Sequence, residues 1–304
     1  MTDPPSADLG LELRFALAEG DAVDVAAGLR ERVLGAAAGA RAPGRSVDPP
    51  AHIAGAEVFA RIVDRLGALL DDLTPEEWAA SPPHYAAVQE LVGHLIGVEE
   101  AFLVVLDGGA DRAVGADHRA MTHEAIADQR GLDPATTNGR WRERSAAAVA
   151  VARAADPSTP VAFYGTTMPI DDLLVARAFE MWTHEEDVRR ATGRDLMPPD
   201  DETLRRMVEL AIALLPIGVS LVGRDLPDRT ARLVLTGPGG GTFDVNLDGS
   251  TAARSADARV VVDSAWFCRV VGHRADGATA GALVDGAADV AEDLLVGASA
   301  LAFD

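Results

Sequence analysis

Glu180 and His184 stand four residues apart in the stretch Ala178 to Asp187. On a helix that spacing puts both on one face, about 6 Å apart along the axis, where a carboxylate and an imidazole can share one metal ion. His94 lies in Val88 to Glu99, with Leu91 and Leu95 on one side and Val98 on the other. On a helix it therefore faces the apolar side. The three residues make an N/N/O donor set drawn from two segments. Three protein ligands leave coordination positions open, the feature that separates catalytic from structural zinc sites. The same residues also fit blander roles: a solvated Glu–His pair beside an acidic outer face of Glu185, Glu186 and Asp187, and a core histidine bonded to a carbonyl. Spacing alone leaves these alternatives open.

Bringing His94 to Glu180 and His184 requires long helices that pack side by side. Residues 51–194 carry such patterns. His52 to Leu73 places Ile53, Phe59, Val63, Leu66 and Leu70 near one face. Thr74-Pro75-Glu76-Glu77 has the form of a helix start, with Thr74 as N-cap and Glu77 at the third position. Val88 to Leu106 is a second long helix, Asn138 to Ala155 a third, and Ile170 to Thr192 a fourth. The fourth is expected to be capped by Asp171 or Asp172 and closed by Gly193. The segment Asp107 to Gly131 reads as loop-rich, with one short helix near Thr122. Four long helices with one longer connection predict a four-helix bundle.

After the linker Leu196 to Asp200 the pattern changes. Leu204 to Val222 is helical. Ala231 to Thr236 and Thr242 to Leu247 alternate like strands around Gly237-Pro238-Gly239-Gly240-Gly241, which predicts a hairpin. Arg259 to Asp263 is a third strand, Ser264 to Val271 a helix, Ala282 to Val284 a fourth strand, and Ala287 to Leu301 a closing helix. The expected fold is therefore mixed: a helical bundle at 51–195 followed by a smaller α+β domain at 203–304. Residues 1–50 read as a helical extension, with short helices at Leu9 to Leu17 and Val25 to Ala38.

Composition narrows the function. The 304 residues carry 27 basic and 48 acidic side chains, a formal charge of -21. Such a field repels phosphate backbones and anionic membranes, which argues against both as partners. No apolar run is long enough to span a bilayer, and the polar N-terminus lacks the form of a secretory signal. One cysteine, Cys268, excludes an internal disulfide and fits a reducing cytoplasm. It sits in the apolar run Trp266-Phe267-Cys268 and reads as a buried structural thiol. His118 and His123 are expected at the surface, His84 and Tyr85, just before the second helix, to cap and cover the site or to line its mouth, and Trp182 in the core. Asp187, three past His184, could hydrogen-bond its imidazole, though a solvated position suits it as well.

Two segments are similar to a known family. VQELVGHLIGVEEAF and LLVARAFEMWTHEEDVRRATGR resemble the metal-binding helices of the DinB-like superfamily, and within it the mycothiol-dependent maleylpyruvate isomerase family. The resemblance implies that His94, Glu180 and His184 are the metal ligands. Glu180, where many DinB-like thiol transferases carry histidine, implies the mycothiol branch. RTARLVLTGPGGGTFDV and DSAWFCRVVGHR resemble the family's second domain, a sterol-carrier-like α+β layer. The likeness covers roughly 51–301; AAGLRERVLGAA in the extension faintly resembles tails of anti-sigma regulators. It implies an enzyme with a divalent metal, Zn²⁺ as first choice, and mycothiol as thiol cosubstrate. A metal-bound thiolate would add to a small electrophile such as maleylpyruvate, and the chain would act as cis–trans isomerase or as S-transferase. No catalytic residue beyond the ligands is implied. Arg224, Arg229, Arg269 and Arg274 could clamp carboxylates of thiol or substrate, although each alone also fits a surface role. The alternative is a metal-containing ligand-binding or regulatory protein without turnover, and either would be a monomer or a homodimer.

Overall fold

The computed structural model describes residues 49–106, 118–163, 166–277 and 281–301. The two expected helices of the extension lie outside them. Pro49–Asp304 forms one unit. Its first part is helical: α1 (Gly55–Asp71), α2 (Pro75–Trp78), α3 (Val88–Leu106), α4 (His118–Gln129), α5 (Pro134–Ala154) and α6 (Ile170–Ala191), with a small hairpin of β1 (Pro160–Phe163) and β2 (Thr166–Pro169) before α6. Its second part holds α7 (Asp201–Leu221), strands β3 (Thr230–Thr236), β4 (Gly241–Asn246), β5 (Ala258–Asp263) and β6 (Leu283–Gly286), and helices α8 (Ser264–Val271) and α9 (Ala288–Ser299).

Local chemistry sets these bounds. Thr74 and Glu77 form a reciprocal capping box at α2. Asp133 accepts from Ala135 N–H with Pro134 at the first position, so α5 starts four residues before the expected Asn138. The cap expected at α6 is a correction: Pro169 stands there without a side-chain cap. Asp171 turns instead to α1, whose own N-cap Ala54 offers no acceptor, and takes the Gly55 N–H at 2.6 Å. Gly55 allows this approach, because a Cβ there would lie 2.0 Å from the Asp171 carbonyl oxygen. Gly193, at φ 68°, closes α6 as expected. The short helix expected near Thr122 is present as His118–Gln129, three turns long.

The sheet runs β4-β3-β5-β6, with β3 parallel to β5 and the outer pairs antiparallel. Ala231, Leu233 and Leu235 of β3 and Ala258, Val260 and Val262 of β5 alternate inward, burying one face beneath α9. The Gly237–Gly241 run makes the β3–β4 turn. Helices α7 and α9 cross closely, since a Cβ on Gly218 would lie 2.1 Å from the Gly297 carbonyl oxygen.

Helix α6 lies at the centre. Every residue from Leu173 to Val188 is buried. It packs on α1, α3, the β1–β2 hairpin and α7, and it meets α8 at its far end. A helix closed in on all sides must find a partner for each charge it carries. Among the described residues no helix is long and apolar enough to cross a membrane.

Candidate metal centre

Helix α3 presents His94, and α6 presents Glu180 and His184 one turn apart. The structure brings all three together: one ligand atom from each lies within 4.8 Å of the other two. His94 Nε2 is 3.4 Å from Glu180 Oε1, and the two imidazole centroids are 5.2 Å apart, nearly perpendicular. Two donors on one ion at bonds of about 2.1 Å in tetrahedral array stand about 3.4 Å apart, so this edge fits a shared cation. The solvated-pair alternative fails on burial. The side chains of Glu180 and His184 are 7% and 4% exposed, and His94 is 18% exposed.

Protonation also suits a cation. Burial pushes the Glu180 carboxyl up, but the Arg177 charge and the two imidazoles outweigh it and hold it at about 2. Burial lowers the His94 imidazole, and the charges of His184 and Arg177 lower it further against the pull of Glu180. The site thus offers a carboxylate and a neutral imidazole, the forms that bind metal. His94 Nε2 and His184 Nε2 are buried without a hydrogen-bond partner. Buried imidazole nitrogens left in this way want an acceptor or a cation, and with the donor set the residues fit a divalent metal.

His184 is oriented from behind. Its Nδ1 lies 3.4 Å from Asp187 Oδ2, and Asp187 in turn accepts two hydrogen bonds from Arg274, at 2.8 and 2.7 Å. Although burial works against it, the contacts with His184 and Arg274 keep the Asp187 carboxyl below its ordinary range. The acidic face expected at Glu185, Glu186 and Asp187 is therefore corrected. Their side chains are at most 1% exposed. Arg65 of α1 and Arg189 hold Glu185, each at 2.6 Å. Arg269 of α8 holds Glu186 through Nε and Nη2, and Arg190 adds a further bond.

The four arginines named as candidates to clamp carboxylates, with a surface role as the alternative for each, are engaged within the chain. Arg269 and Arg274 meet α6 as described, Arg224 pairs with Asp293, and Arg229 pairs with Asp257 and Asp289. Trp182 is fully buried, with its ring 6.0 Å from Phe179 and beneath the Arg269 guanidinium. Cys268 is fully buried, and burial pushes its thiol far up. His84 and Tyr85 do stand at the site. Tyr85 packs its ring 5.6 Å from His94 and 6.1 Å from His184. Beside them a cavity of about 550 Å³ is lined by His84, Tyr85, His94, Thr122, His123 and Arg130, among others. His123 is exposed, as expected, and borders this cavity; the side chain of His118 lies outside the described residues.

Two residues at the site were not anticipated. Arg177 donates to Glu180 Oε2 and, at 2.9 Å, to Glu99 Oε1. Arg177 has a readable signal: at three and seven residues before Glu180 and His184 it shares their helix face. Glu99 sits on the buried stripe of α3 beside Leu95 and Phe102, where a carboxylate needs a partner.

Residues 59–189, which contain all three candidate ligands, match the family model described as the mycothiol maleylpyruvate isomerase N-terminal domain. No curated protein matches the sequence significantly. Two solved structures are similar. The crystal structure of the mycothiol-dependent maleylpyruvate isomerase is 16% identical, with a TM-score of 0.50 over 73% of this chain and 88% of that one. A histidine-to-alanine mutant of that protein gives 15% and 0.51 over the same shares. At that identity they speak for the fold alone, a helical part followed by a small sheet. Over residues 59–189, less than half of the chain, the sequence is thus similar to the mycothiol maleylpyruvate isomerase N-terminal domain.

Proposed function

We propose that this chain is a mycothiol-dependent metalloenzyme, a cis–trans isomerase or S-transferase acting on a small electrophile of the maleylpyruvate type. His94, Glu180 and His184 would hold the ion, Zn²⁺ as first choice. The observation that carries the reading is the convergence of a half-buried and a buried imidazole with one ionised carboxylate within 4.8 Å. The ion would supply the positive charge that converts a thiol to its thiolate. In this account 51–195 is a DinB-like four-helix bundle and 203–304 a sterol-carrier-like layer, with 1–50 as an extension and a reducing cytoplasm as setting.

The chain's own residues then have defined tasks. Asp187, held by Arg274, fixes the His184 ring so that Nε2 faces the shared point. Arg177 and Glu99 fix the Glu180 carboxylate. Tyr85 covers one side of both imidazoles and limits water there. The cavity between Tyr85, Thr122 and Arg130 opens on His94 and has room for a small electrophile beside the thiol's sulfur.

The test is turnover of mycothiol with maleylpyruvate, followed by loss of the cis isomer, and with monochlorobimane, followed by conjugate fluorescence. Thiol-dependent turnover of either, lost in His184→Ala, is the expected result. Metal-loaded protein inert with both would instead favour a ligand-binding or regulatory role.

A further inference from the structure

We propose that Arg177 is a positioning residue for the candidate centre: clamped by Glu99, it takes one oxygen of Glu180 and leaves only the other for the ion. This rests on the metal-site reading above.

The geometry divides the Glu180 carboxylate between two tasks. Arg177 Nη1 donates to Oε2, while Oε1 faces His94 Nε2 at 3.4 Å. Arg177 Nη2 donates to Glu99 Oε1 at 2.9 Å. A guanidinium is a flat, rigid fork, so two carboxylates on its arms are fixed in direction as well as distance. Held in this way, Glu180 can offer one donor atom and not two. The coordination position a second oxygen would fill stays free for the sulfur of the thiol.

Charge supports the assignment. The Arg177 side chain is 1% exposed and Glu99 is fully buried. Such a pair is seldom kept for stability, since apolar side chains of similar volume serve as well or better. A lone guanidinium beside the site would also repel a cation. Glu99 accepts from that guanidinium on the side away from the ion site, although burial pushes its own carboxyl up. Glu99 itself is not part of the converging donor group among the described residues; its Oε1 is turned to Arg177.

The test compares wild type with Arg177→Lys, which keeps the charge and loses the fork. Zn²⁺ affinity is read by competition with a chromophoric chelator, and coordination by the visible absorption of the Co²⁺-loaded protein. We expect Arg177→Lys to bind Zn²⁺ about 10- to 100-fold more weakly. Its Co²⁺ bands should weaken as Glu180 closes on the ion with both oxygens. Should Arg177→Lys not fold, the paired change Glu99→Leu with Arg177→Met removes both charges and keeps the core apolar; it should fold and show the same loss. Affinity and Co²⁺ spectrum equal to wild type in the folded variant would overturn the proposal. Wild-type protein that binds neither ion would defeat the metal site itself, and with it this inference.

Discussion

At the scale of single residues, burial decides which polar groups matter. Cys268 and Glu180 are both buried, yet their chemistry diverges because the charges around Glu180 outweigh burial and those around Cys268 do not. Glu180 has Arg177 and two imidazoles and stays ionised at about 2. Around Cys268 burial dominates the nearby Arg269, and the thiol is held protonated. Native protein should therefore leave Cys268 unmodified by a thiol-reactive disulfide reagent, and unfolded protein should react with one equivalent; rapid labelling of the native form would show that the thiol is accessible. Sequence spacing put Glu180 and His184 on one helix face and His94 on an apolar one, but it left blander roles open; the family resemblance was what implied them as ligands. Spacing did not show Arg65, Arg269 or Arg274 reaching Glu185, Glu186 and Asp187, since those partners lie 83 to 120 residues away. A run of three acids reads as solvated until the elements around it are known.

At the scale of elements, termini and crossings carry the specificity. Glu77 of the α2 capping box is hydrogen-bonded by Arg194, which with the Thr74 N–H lowers its carboxyl from 4.5 to about 2. The unfolded chain therefore binds this proton more readily. The stability Glu77 lends is complete above pH 4.5 and is lost as pH falls toward 2. Chemical denaturation of wild type and Glu77→Gln between pH 2 and 6 should show the two midpoints converging at the acid end; a constant gap would refute this. At the α7–α9 crossing, Gly218→Ala should raise helix propensity by about 1 kcal/mol. The added Cβ would meet the Gly297 carbonyl oxygen at 2.1 Å, and overpacking costs about 1–3 kcal/mol. Net destabilisation is expected, read as a lower denaturant midpoint. The long helices α3 and α6 were legible to within a residue, because periodic apolar positions and Gly193 mark them. The β1–β2 hairpin was not: two four-residue strands give alternation too little length to show. The start of α5 was legible in Asp133-Pro134, a cap and first-position pair that the helical pattern beginning at Asn138 overshadowed.

At the scale of the molecule, α6 joins the helical part to the sheet part. Arg269 and Arg274, just beyond β5, reach acids on α6 close to His184, so the helix that carries Glu180 and His184 and the sheet part form one packed body. Arg269→Ala strips a two-armed partner from buried Glu186, and breaking such a pair costs about 3–5 kcal/mol. The lower end applies, because Arg190 still reaches Glu186. Arg232→Ala, which removes an exposed pair with Asp244, should leave the denaturant midpoint in place. Equal effects of the two substitutions would contradict the role given to the α6–α8 contact. The helical-plus-sheet order was visible in the change of period after Asp200; the burial of α6 was not, since its sequence carries as many charges as a surface helix.

The account stands on three side chains sharing one cation, and metal content tests that most directly. Purified wild-type protein, supplied with Zn²⁺ and desalted, should carry about one equivalent of divalent metal per chain by elemental analysis. His94→Ala and Glu180→Ala, folded by circular dichroism, should carry far less. Wild-type protein without stoichiometric metal, or variants that retain it in full, would contradict the account.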